Sequence, residues 1–191
     1  VPYGTAGDKG VASVGYDKDR LVCFWSQLIW PAVFLLEARD PLGHAFGCKT
    51  ATLEAVGLLL PFICAPRLLA GKPVLFLLDN EAVVYGWESK HVTHDVAASI
   101  LIRTAHLIAA YLACSVTVCH LPRKSTAQAV LADNLSRLST TTDADRAAVH
   151  GISMSPVPAA FADWLQNPQD DWSLATSLLD HVRNLVQEKW G

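Results

Sequence analysis

The 191-residue chain predicts an α/β fold, with three adjacent antiparallel strands followed by helices and strands in alternation. Three observations carry that expectation. Residues 1–27 hold short apolar runs parted by Gly, Asp and Lys, the pattern of successive hairpins. Val74-Leu75-Phe76-Leu77-Leu78 is an unbroken apolar run with no charge until Asp79, which is how a strand buried on both faces reads. Apolar residues then recur near every 3.6 positions in the long segments before and after it.

Val1-Pro2-Tyr3 and Val11 to Tyr16 form the first hairpin, because Gly7, Asp8 and Gly10 supply the backbone freedom of its turn. Arg20 to Gln27 is the third strand, after the turn Asp17-Lys18-Asp19. Residues 28–49, with Trp30-Pro31, Asp40-Pro41 and Gly43, read as a surface insertion in which Val33 to Glu37 has room for a short strand. Thr50 to Ala65 is helical, with Leu53, Val56, Leu60 and Ile63 near one face and Pro61 marking a kink. Gly71-Lys72-Pro73 turns the chain into the central strand. A short helix, Glu81 to Trp87, precedes a long one that Asp95 caps and that reaches Ala113. Ser115 to Leu121 is a strand rich in β-branched residues.

Ser125 and Gln128 make a capping box for a helix over Thr126 to Leu138. Leu131, Leu135 and Leu138 form its apolar stripe, and Ala129, Ala132, Asp133 and Ser136 a slim second face suited to close approach. Thr140 to Ser155 reads as a linker, before two amphipathic helices at Pro158 to Gln166 and Trp172 to Trp190. The implied organisation is a core domain over 1–140, a linker over 141–157 and a C-terminal helical extension over 158–191. Trp164, Trp172 and Trp190 in that extension read as core aromatics, since an exposed trio would promote aggregation.

Composition narrows the function. With 51% apolar and 17% charged residues, the chain suits one well-buried domain with an appendage. Its longest apolar stretch, Ala55 to Ala65, is interrupted by Pro61 and falls well short of the roughly 20 residues that span a bilayer. No secretory signal is expected, and the start at Val1 without Met suggests a piece of a longer polyprotein. Cys23, Cys48, Cys64, Cys114 and Cys119 lack zinc spacing and read as buried thiols in a reducing, intracellular compartment, cytoplasmic or nuclear. A net charge of −3 rules out a global basic field, so any nucleic acid must be held by a local patch or by neighbouring domains.

The strongest candidate for chemistry is Asp79, delivered at the end of the central strand, where open α/β sheets bind ligands. Asp-Asn after a strand is also an ordinary turn and cap pair. Glu54 sits one turn inside its helix among Ala51, Ala55 and Gly57, where it also complements the helix dipole. Asp133 lies on the slim face of its helix. Three carboxylates from distant segments meeting at one sheet edge would suit hard cations such as Mg²⁺. Two such ions about 4 Å apart activate a water and stabilise the leaving oxygen of a phosphodiester. His91, His94 and His106 lack partners at ligand spacing and are not expected to bind metal.

Thr52-Leu53-Glu54-Ala55, Leu77-Leu78-Asp79-Asn80, His120-Leu121-Pro122-Arg123 and Leu131-Ala132-Asp133-Asn134-Leu135-Ser136-Arg137 together resemble the ribonuclease H domain that follows reverse transcriptase in retroelements. The likeness is nearest to DIRS-like elements, which carry a tyrosine recombinase, and it covers residues 1–140. The resemblance implies a five-stranded mixed sheet flanked by helices and two Mg²⁺ or Mn²⁺ ions held by Glu54, Asp79 and Asp133. It also implies hydrolysis of the RNA strand of RNA·DNA hybrids during reverse transcription. Reverse transcriptase and recombinase domains of the same polyprotein would be its partners.

One departure stands out. The family carries on its first strand an Asp that bridges both metals, and the matching place here is Gly4, or Thr5 under a different alignment of the turn. Asp8 is the nearby acid that would have to serve as substitute ligand. The expectation is impaired or absent cutting, the alternative to an active enzyme being an inactive structural or hybrid-binding module of a reverse transcriptase. His120 reads as a strand-end hydrogen-bonding residue before a general acid. Lys9, Lys18, Arg123, Lys124 and Arg137 form the expected basic lip for phosphates.

Overall fold

The structure, a computed structural model, describes residues 2–6, 10–29, 50–122, 125–137, 141–152, 156–166 and 172–188, with the backbone alone described for 2–6 and Thr50. The strands are β1 (Pro2–Ala6), β2 (Gly10–Tyr16), β3 (Val22–Ile29), β4 (Pro73–Leu78) and β5 (Ser115–His120). The helices are α1 (Thr50–Cys64), α2 (Pro66–Leu69), α3 (Glu81–Ser89), α4 (Val96–Tyr111), α5 (Ala127–Ser136), α6 (Asp143–Ala148), α7 (Ala159–Gln166) and α8 (Ser173–Gln187).

Among the described residues the strands join in the order β3-β2-β1-β4-β5. β1, β2 and β3 pair antiparallel, and β4 and β5 pair in parallel from Pro73↔Ser115 to Leu78↔His120. Only two residue pairs, Tyr3↔Leu77 and Gly4↔Leu78, bridge these halves. β1 extends to Ala6, so Gly4 and Thr5 lie in the strand and not in the turn, because ladder pairing with β2 continues to Ala6↔Val11. The third strand starts later than its composition suggests. Asp17 Oδ1 accepts the amides of Asp19 and Leu21, and Arg20 sits at φ 61°, so the turn absorbs residues through Leu21. Leu28 and Ile29, expected in the insertion, belong to β3, and residues 30–49, where the rest of the insertion and a short strand at Val33 to Glu37 are expected, lie outside the described residues.

The first face of the sheet carries the main core. α1 is buried on every side, with Val56, Leu58, Leu59, Leu60, Phe62 and Ile63 all at 0% exposure, because sheet, α4 and α8 surround it. The Ser13 hydroxyl donates to the Gly57 carbonyl at 2.5 Å, joining β2 to α1. Phe62 stacks on Phe76 of β4 with ring centroids 5.3 Å apart. Phe161, Trp164 and Leu165 of α7 and Leu174, Leu178 and Val182 of α8 belong to this same cluster. The C-terminal helices therefore share the main core, although Trp172 is 68% exposed and departs from the expected buried trio. Trp190 lies outside the described residues.

The second face is thinner. α5 lays Ala132 and Leu135 on Ala12, Val14 and Tyr16, and Val149 closes this small cluster. Gln27 Nε2 holds α5 by donating to the Leu135 carbonyl at 2.6 Å. The segment expected to be a linker folds back instead: it contains α6, and Trp25 Nε1 donates to the Ile152 carbonyl at 3.3 Å. Capping also differs in detail, since Thr126 caps α5 and the reciprocal capping box belongs to Thr142 and Asp145 on α6. The thiols are not uniformly buried. Burial pushes Cys64 up to about 12, Cys114 is half-buried, Cys23 and Cys119 are exposed, and Cys48 lies outside the described residues.

Candidate metal and nucleic-acid site

β4 buries alternate residues, Val74, Phe76 and Leu78, while Leu75 is exposed, so the strand is buried on one face and not on both as its apolar run suggests, and the chain leaves the sheet through half-buried Asp79 and Asn80. Asn80 is the cap of α3, its side chain accepting the Val83 amide at 3.2 Å. The capping half of the turn-and-cap reading thus belongs to Asn80, and Asp79 is not needed for it. Next to this end, His120 finishes β5 with its Nδ1 3.8 Å from Glu81 Oε1, both side chains well exposed. That is a strand-end contact of the kind expected for His120, and an exposed pair of this sort contributes little to stability.

The register decides between the two first-strand positions. Gly4 pairs with Leu78 on one side and Ser13 on the other, and Leu78 and Ser13 both face the first-face core. Position 5 pairs with Ala12 of the second-face cluster and lies one step along from Gly4↔Leu78, hence beside Asp79. A carboxylate meant to share a cation with Asp79 belongs at position 5, where this chain has Thr5.

The other two acids come from opposite layers. Glu54 stands on α1, the first-face helix, at 0% exposure. Its Oε2 is sequestered without a hydrogen bond, while the side chain as a whole keeps other interactions. Asp133 stands on α5, the second-face helix, at 5% exposure, and its Oδ1 accepts a hydrogen bond from Arg137 Nε at 3.2 Å. That ion pair balances a largely buried carboxylate one helical turn away.

Among the described residues, no three His, Cys, Asp or Glu side chains gather closely enough to hold a metal ion. The candidate acids come from different layers: Glu54 stands on α1 and Asp133 on α5, on opposite faces of the sheet, and Asp133 is paired with Arg137. Asp8, the expected substitute ligand, lies outside the described residues.

The basic lip is likewise only partly visible. Lys9, Arg123 and Lys124 lie outside the described residues. Arg137 is engaged with Asp133, and Lys18 sits in the β2–β3 turn, at the end of the sheet opposite Asp79. His91 approaches Ser99 Oγ at 3.3 Å, and His106 stacks on Trp87 while sharing a 2.7 Å hydrogen bond with its carbonyl. Both are explained by packing.

No protein-family model matches the chain, and no curated protein matches it. Among solved structures, the N-terminal RNase H domain of Rv2228c from Mycobacterium tuberculosis, solved as a fusion with maltose-binding protein, superposes with a TM-score of 0.51 at 19% identity. The match covers 78% of this chain and 94% of that one. The fold is ribonuclease H-like. No helix of the described residues is long and apolar enough to cross a membrane.

Two features that the sequence did not reveal shape this region. Arg137 was legible only as a phosphate contact, although its i,i+4 spacing from Asp133 is an ion-pair signal. Thr52, two residues before Glu54, donates to both Asp95 carboxylate oxygens at 2.7 and 2.9 Å, tying the start of α1 to that of α4.

Proposed function

We propose that this chain is the ribonuclease H-type domain of a retroelement reverse transcriptase, of the DIRS-like kind, in which cutting has been lost and a structural role within the polyprotein remains. The observation that carries this reading is the register, which sets Thr5 beside Asp79 where a shared carboxylate is required. The Asp133–Arg137 pair agrees with it. Its partners would be the reverse transcriptase and recombinase domains, with the RNA·DNA hybrid a ligand to be touched and not cut.

A second reading, two-ion hydrolysis of the RNA strand with Mg²⁺ or Mn²⁺, draws on one observation. Glu54 and Asp133 persist as carboxylates at 0% and 5% exposure, where burial of a charge is costly for folding alone. Cleavage of a labelled RNA·DNA hybrid with Mg²⁺ or Mn²⁺ separates the two. The first reading expects the chain to cut no faster than its Asp79→Asn variant. Clear cutting that Asp79→Asn abolishes would replace it with the second.

A further inference from the structure

The last turn of α5 is pinned from outside the helix. Arg137 closes α5 in extended backbone, its N–H donating to the Asn134 carbonyl at 3.1 Å. Its own carbonyl accepts the Thr141 amide at 3.1 Å and faces the Thr141 hydroxyl at 2.9 Å, and that hydroxyl lies 2.7 Å from the Asn134 carbonyl as well. Asn134 Nδ2 reaches both carboxylate oxygens of Asp145, at 3.2 and 3.3 Å, while Asp145 also accepts the Thr142 amide at 2.8 Å. Residues 141–145 therefore form a strap whose points of attachment are Asn134 and Arg137.

The strap changes what the Asp133–Arg137 pair can do. An exposed i,i+4 pair gains little, because two mobile side chains must be ordered to make it. Here the backbone of Arg137 is fixed from both sides, and the Asp133 side chain is 7% exposed against 31% for Arg137. A carboxylate so far out of water needs a positive charge beside it. Arg137 supplies that charge, with Nε donating to Oδ1 at 3.2 Å. A divalent cation arriving at Asp133 would meet the same oxygen already engaged and a like charge next to it.

We propose that Arg137 is a built-in counter-ion that holds Asp133 in place of a divalent cation, and that the strap through Thr141, Thr142 and Asp145 keeps it there. The cation comes from the ribonuclease H-type reading, on which the inference rests, whereas the competitor and its strap are features of the described residues. Mg²⁺ or Mn²⁺ reaches Asp133 only when the guanidinium has left, so the segment that follows α5 controls access to the carboxylate that α5 carries. Removing the charge of Arg137 abolishes the competition, and loosening the strap weakens it.

The test follows broadening of backbone amide NMR signals by Mn²⁺, which reports weak binding residue by residue. It compares the unaltered chain with Arg137→Lys, Arg137→Gln, Thr141→Val and Thr5→Asp. The exposed Asp19 gives the background for a surface carboxylate. The unaltered chain and Arg137→Lys should broaden at Asp133 no more than at Asp19, Arg137→Gln should do so at about tenfold lower Mn²⁺, and Thr141→Val should fall between. The same spectra show whether each variant is folded, and Thr141→Val carries the test if Arg137→Gln is not. Equal broadening at Asp133 in the unaltered chain and Arg137→Gln overturns the inference, as does an Arg137→Lys that behaves like Arg137→Gln. A gain in Arg137→Gln with none in Thr141→Val overturns the part given to the strap. Thr5→Asp keeps the two claims apart, since its failure to gain Mn²⁺ at Asp79 counts against the reading of the sheet edge whatever Asp133 does.

Discussion

The two faces of the sheet are built to different standards. The first is covered by α1, α4, α7 and α8 and holds a large continuous core, while α5 and the segment around Val149 cover the second with a handful of side chains. The first face buries whole residues such as Phe62 and Leu59, with Glu54 among them at 0% exposure. The second admits Asp133, paired with Arg137 at the end of the same helix, and Gln27 ties that helix to the sheet. The candidate acids straddle this division, Glu54 on the thick side and Asp133 on the thin. Stability and any chemistry at the sheet edge are therefore separable, because the main core on the first face includes neither position 5 nor Asp133.

Truncations give the largest contrast. Phe62→Ala, which empties a site at 0% exposure stacked on Phe76, should cost about 4 kcal/mol in urea unfolding. Leu135→Ala in the small cluster should cost closer to about 2 kcal/mol, because the thin face collapses more easily. Equal losses would break the comparison. Arg137→Ala should cost about 2 kcal/mol by leaving the Asp133 carboxylate without its guanidinium, and adding Asp133→Asn should recover part of that loss. Gly86→Ala tests how tightly α3 is set against the first-face core. An added Cβ would lie 2.6 Å from Val92 Cγ2 and 3.0 Å from Ile102 Cδ1, so a loss of about 1 to 2 kcal/mol is expected.

The smallest effect is one of pH. Burial, with Lys90 nearby, holds His106 below its ordinary value of 6.5, although the bond to the Trp87 carbonyl works the other way. The unfolded chain then takes up the proton first as pH falls. The contribution is complete above pH 6.5 and is lost below it, so Tm should drop slightly between pH 7 and pH 5. His106→Gln should flatten that drop, and an unchanged slope would remove His106 from the account.

Much of the fold was legible because local signals agreed with the tertiary ones. The apolar run into Asp79 is β4, the β-branched run is β5, and Asp95 does cap α4 by accepting the Ala98 amide at 2.9 Å. What escaped depends on contacts between distant segments. A polar stretch such as Thr141 to Ile152 reads as a linker until Trp25 and the second-face cluster give it somewhere to pack. The choice of Thr126 over Ser125 as cap turns on one residue of helix start. For the site, the three acids were visible, but choosing between Gly4 and Thr5 needs the pairing of β1 with both neighbours, which no spacing along the chain encodes.

Binding of Mn²⁺, followed by calorimetry, tests the central claim most directly: the position beside Asp79 is the one that lacks a carboxylate. The chain as it stands should bind Mn²⁺ no better than Asp79→Asn does, and Thr5→Asp should bind at least about tenfold tighter while Gly4→Asp gains nothing. Tight binding by the unaltered chain that Asp79→Asn abolishes, or a gain in Gly4→Asp alone, would contradict it.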